Sequence, residues 1–118
     1  MNLNEHLGPA LTLRDWLSHF GGFPGDGCLV ISSDTKRIAF DTPCRPIITT
    51  GRDLSDDEHD ALDTALRIAG WRWFLSEDQL EDIVANLALQ AAPYSPEQLL
   101  AAIQHYWAHD AFIELRDA

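Results

Sequence analysis

Four helix starts are written into this chain by one repeated device. A Ser or Thr stands three residues ahead of an acid or a glutamine. The hydroxyl can then accept from an orphan amide of the first turn while the longer side chain reaches back to the cap. The pairs are Thr12 with Asp15, Ser55 with Glu58, Ser76 with Gln79 and Ser95 with Gln98. Pro96 follows the last cap at the first helical position, where a missing N–H costs nothing. What lies between the four starts decides the fold class.

The first helix is expected over about Leu13 to Phe20, ending at Gly21-Gly22. Beyond Gly25-Asp26-Gly27, the run Cys28 to Ser32 has strand character. Asp34-Thr35 reads as a turn and Arg37 to Asp41 as the returning strand of a hairpin. Pro43 and Pro46 interrupt the chain, and Ile47 to Thr50 reads as a third, edge strand. A helix from Asp56 to Ala69 stops at Gly70, and the short aromatic run Trp71 to Leu75 reads as a strand. Two further helices, about Glu77 to Ala91 and Pro96 to His109, keep apolar residues at helical spacing. Ala111 to Leu115 fits a last strand or a helical extension. These intervals predict an α+β domain spanning residues 1–118, with about four helices packed on a small, mainly antiparallel sheet.

Composition limits what such a domain can do. The 118 residues make one domain's worth of chain, and Leu, Ile, Val and Phe supply about a quarter of them. Eight Lys and Arg stand against 19 Asp and Glu, a formal net charge of −11. A free-standing nucleic-acid binder needs cations to displace phosphate counterions, and an anionic membrane surface needs them too. Neither direct nucleic-acid binding nor membrane binding is expected. No uncharged run approaches the roughly 20 residues of a bilayer span, and the N-terminus lacks a signal peptide's basic and apolar regions. With Cys28 and Cys44 as the only cysteines, the thiols read as reduced and the expected compartment is cytoplasmic. Seven Arg against one Lys suits a GC-rich bacterial genome.

The most distinctive segment is Asp53 to Asp63, in which six of eleven residues are acidic: Asp53, Asp56, Asp57, Glu58, Asp60 and Asp63. On a helix, Asp56, Asp60 and Asp63 fall within about 60° of one another, roughly opposite Leu62, Ala65, Leu66 and Ala69. The first-turn acids complement the helix dipole, which accounts for them as an ordinary solvated face. Asp60 and Asp63 lie beyond that turn, where repeated like charge is a mild burden that a basic partner would relieve. Glu77, Asp78, Glu81 and Asp82 open the next helix and would extend the same negative surface if the two starts lay side by side. Between them, Trp71, Arg72 and Trp73 combine residue types enriched where binding energy concentrates. Strand alternation puts both tryptophans on one face and Arg72 with Phe74 on the other; a strand tryptophan in a small domain is more often core.

Catalytic chemistry finds no foothold. There is no GxSxG elbow, the cysteines lack a histidine in a recognisable motif, and the glycines of 21–27 lack the lysine of a phosphate loop. His105 and His109 stand four apart, but no Glu occupies the HExxH position and no Cys–His cluster completes a zinc site. No catalytic residue, metal site or cofactor is therefore assigned.

A small acidic domain without catalytic residues is best explained by what it binds. Its size, acidity and acidic run at Asp53 to Asp63 resemble the immunity proteins of bacterial toxin systems, including contact-dependent growth inhibition. That resemblance implies a cytoplasmic protein that neutralises a cognate toxin domain, often a nuclease. The expected docking residues are Asp53, Asp56, Asp57, Asp60, Asp63, Glu77, Asp78, Asp82 and Arg72, with carboxylates standing in for phosphates toward a cationic partner. Three other readings remain open: a nucleic-acid mimic, a small adaptor that takes a peptide at its sheet edge or near Leu89, and an enzyme without a familiar motif.

Overall fold

Every expected cap is present. In a computed structural model that describes residues 3–18, 27–48 and 54–115, Ser55, Ser76 and Ser95 each accept from the amide three residues on. Glu58, Gln79 and Gln98 return the bond to the cap amide. Thr12 accepts from Asp15 N at 3.2 Å. The helices are α1 (Leu13–Leu17), α2 (Asp56–Ile68), α3 (Glu77–Gln90) and α4 (Pro96–His109). α2 ends where Gly70 takes φ +86°, a left-handed value that favours glycine.

The strands are β1 (Leu11–Thr12), β2 (Cys28–Ser32), β3 (Pro43–Pro46) and β4 (Trp71–Ser76), all antiparallel in the order β1-β3-β2-β4. The chain is an α+β domain with four helices on a four-stranded antiparallel sheet among the described residues. The returning strand of the hairpin is β3, not Arg37 to Asp41. That earlier segment spends its hydrogen bonds elsewhere. Phe40 and Thr42 carbonyls accept from Arg14 N and Leu13 N, satisfying the first turn of α1. The Thr42 hydroxyl accepts from Ala39 N at 2.8 Å, and Gln104 on α4 donates to the Ile38 carbonyl at 2.5 Å. Pro43 and Pro46 bound β3 instead of breaking it, since a proline at a strand end is spared an internal ladder bond. The expected edge strand at 47–50 reduces to one bridge from Ile47 to Leu7; residues 49 and 50 lie outside the described residues. The tail through Leu115 is neither helix nor strand, and Gln90 ties it down through Ile113 O and Leu115 N. The helix expected to reach Phe20 is helical to Leu17, and residues 19–26 lie outside the described residues.

Both faces of the sheet are covered. Leu29 and Ile31 of β2 join Leu13, Trp16, Ile83, Leu87, Ala102 and Ile103 in the larger core, beneath α1, α3 and α4. Val30, on the opposite face, joins Ile47, Leu62 and Leu66 beneath α2. A bulge makes β4 fit this division. Leu29 faces Leu75 while Val30 faces Trp73, so Phe74 is the extra residue, and Phe74 and Leu75 both enter the larger core.

Both cysteines are free. The register places Cys44 beside Ile31 and Cys28 beside Ile47, about 10 Å apart along the sheet, beyond disulfide reach. Burial pushes the Cys44 thiol up to about 12 from its ordinary 9.0. This folded value lies above the unfolded one, so its contribution to stability is complete below pH 9 and is lost as pH rises towards 12. With an aromatic disulfide reagent at pH 8, Cys44 is expected to stay unlabelled until the chain is unfolded, whereas half-buried Cys28 reacts in the native state.

Candidate functional site

α2 is oriented by two residues. Leu62 and Leu66, each 1% exposed, hold it against Val30 and Ile47. The other side of the helix must then face solvent, and it carries the exposed Asp56, Asp57, Asp60 and Asp63. The carboxylates of Asp56, Asp57 and Asp60 make no hydrogen bond or ion pair among the described residues. Glu58 is partly withdrawn, since its carboxylate serves the Ser55 cap. Asp53 lies outside the described residues.

Trp73 completes this face. Its indole N–H donates to Asp63 Oδ1 at 2.6 Å, and 43% of the residue is exposed. Trp71, on the same face of β4, instead packs against the small core under α2, with Arg45 5.5 Å from its ring centre. The two tryptophans thus divide, one to packing and one to the surface. Trp73→Ala is accordingly expected to cost about 1–2 kcal/mol in denaturant unfolding, short of the 3–5 typical of a fully buried aromatic. A loss above 3 kcal/mol would mean that the ring is held as core.

The second acidic group does not join the first. α2 covers one face of the sheet and α3 the other. Exposed Asp78, Glu81 and Asp82 and half-buried Glu77 are therefore separated from the α2 stripe by the sheet itself. The tight turn at Ala69-Gly70 makes α2 run antiparallel to β4, and α3 starts where β4 stops, so both acidic starts share one end of the sheet on opposite faces. Arg72 also faces away from Trp73. Its guanidinium lies 4.5 Å over the Trp107 ring and donates to the Thr35 carbonyl at 2.6 Å, while its buried Nε has no partner among the described residues. Arg72 fastens β4 to α4, so its place is in packing rather than beside the carboxylates.

Packing also creates a cavity of about 770 Å3 on the α3 side. Trp16, Phe40, Leu80, Val84, Tyr94 and Leu99 line it, together with Glu77, Glu81 and Arg14, which is stacked on Phe40. The sequence signal was weak but present: Glu77 and Glu81 share a helical face with Leu80 and Val84. No group of three or more potential metal ligands occurs among the described residues, and no described helix is long and apolar enough to cross a membrane.

A family model described as "Domain of unknown function (DUF7716)" matches residues 10–115. The chain belongs to the DUF7716 family. No curated protein and no solved structure matches it. The DUF7716 match takes in β1 to β4 and α1 to α4, including Trp73 and the cavity walls.

Proposed function

We propose that this DUF7716 chain is a bacterial immunity protein that binds and neutralises a cognate toxin domain, a basic nuclease, in a contact-dependent growth inhibition system in the cytoplasm. The observation that carries the reading is the pairing of Trp73 with Asp63 beside unpaired Asp56 and Asp60. Carboxylates attract a cationic partner from a distance, and a pinned indole offers a flat face for an Arg or Lys side chain once contact is made. An interface of this kind concentrates affinity in a few residues while the surrounding charges set the encounter rate. The protein performs no chemistry in this reading; its acids occupy the place of substrate phosphates.

The test is co-expression with basic toxin domains of the same genome, paired with association kinetics at low and high salt. Suppressed toxicity and fast, salt-sensitive binding are expected for the wild type. Reversing Asp56 and Asp60 to Lys should slow association by about 10- to 100-fold with folding nearly intact. Unchanged kinetics at low salt would remove the stripe from the interface. Capture of a DNA-binding regulator instead would favour a nucleic-acid mimic. The apolar cavity beside Glu77 and Glu81 supports one further reading, an adaptor that seats an amphipathic basic segment. Binding abolished by Val84→Arg but untouched by charge reversal at Asp56 and Asp60 would favour it.

A further inference from the structure

We propose that His105 and His109 form a two-imidazole chelate for a divalent transition-metal ion of the Cu2+ or Ni2+ type at the C-terminal end of α4. Residues four apart share a helical face, and here the two ring centres stand 4.6 Å apart with the planes tilted by 45°. An imidazole nitrogen ligates at about 2.0–2.1 Å, which puts each ring centre about 3.2 Å from the ion. Two such rings at a right angle about the ion lie about 4.5 Å apart, and at the tetrahedral angle about 5.2 Å. The observed spacing is within reach of one shared ion, and Cu2+ and Ni2+ head the affinity order for nitrogen ligands.

The surroundings favour a cation. His109 lies in the last turn of α4, where the helix presents the negative end of its dipole, and Asp110 follows as the C-cap. The chain as a whole carries a formal charge of −11. His109 is exposed and His105 half-buried, so an ion reaches the pair from solvent. Among the described residues no third His, Cys, Asp or Glu joins them. The site is an open bidentate chelate, unlike a closed structural cage, and its remaining positions belong to water or to a ligand from another molecule. It stands independently of the toxin-binding reading.

The full, untagged chain titrated calorimetrically with NiCl2 and CuCl2 is expected to take one ion at this pair. His105→Gln and His109→Gln should each weaken binding by about tenfold or more, because each leaves a single imidazole, while His59→Gln should leave it unchanged. Circular dichroism of the variants checks that α4 persists. The Cu2+ electron paramagnetic spectrum should show coupling to two imidazole nitrogens in the wild type and one in either variant. Equal affinity for wild type and both α4 variants, loss of binding in His59→Gln, or a wild-type spectrum without two nitrogens would each overturn the assignment.

Discussion

Trp16→Ala is expected to destabilise the chain by about 3–5 kcal/mol, the largest loss of any single truncation considered, measured by urea unfolding with far-UV circular dichroism. Trp16 is 3% exposed, and its indole N–H donates to the Cys44 carbonyl at 2.9 Å. It ties α1 to β3 through two residues 28 apart in sequence. A helix of five residues has no independent stability, so α1 exists only through that anchor, Leu13 and its capping bonds. Trp16→Phe keeps most of the ring and removes the donor, so it isolates the hydrogen bond at about 1 kcal/mol. A small domain has only about 5–15 kcal/mol to lose, so the alanine variant should be visibly compromised at 37 °C. A loss under 1.5 kcal/mol would mean that α1 can detach without cost to the rest.

Leu62→Ala should cost about 2–4 kcal/mol, with a distinct spatial signature. Among the described residues, the core under α2 has only four buried members, Val30, Ile47, Leu62 and Leu66. α2 cannot replace that packing with favourable surface pairs, because its exposed face carries acids that repel one another. Native-state hydrogen exchange of the variant should therefore show α2 opening at lower free energy than α3 and α4, which rest on the larger core. The equivalent truncation Leu87→Ala, in the larger core, should instead lower the global unfolding free energy across all helices. Unchanged α2 protection in Leu62→Ala would show that the small core does not hold the acidic face in place. Since Asp56, Asp60 and Asp63 ride on α2, the same variant should also weaken any binding that uses them.

Where the determining interaction was local, the residues were enough to read the structure. A cap joins a hydroxyl to an amide three residues away, so Ser55, Ser76 and Ser95 announced α2, α3 and α4 without reference to the rest of the chain. Gly70 stopped α2 by its own conformational freedom. The amphipathic split of α2, with Leu62 and Leu66 inward and the acids outward, followed from helical period alone. The α+β class then followed from helices separated by short apolar and aromatic runs.

Pairing across the chain decided the rest. Arg37 to Asp41 and Pro43 to Pro46 compete for the place beside β2. The second won because the carbonyls of the first are taken by α1 and α4. A strand with proline at both ends reads as a breaker until its partners are known. Alternation placed Trp71 and Trp73 on one face, but only the packing of α2 half-buried the first against the small core and left the second exposed beside Asp63. The two acidic helix starts, Asp56 and Glu77, lie 21 residues apart in sequence, and the sheet between α2 and α3 keeps them on separate surfaces. Local hydrogen bonds and periodicity thus determined which elements form. Which faces meet, and so which residues reach solvent together, depended on long-range burial that no short stretch of residues encodes.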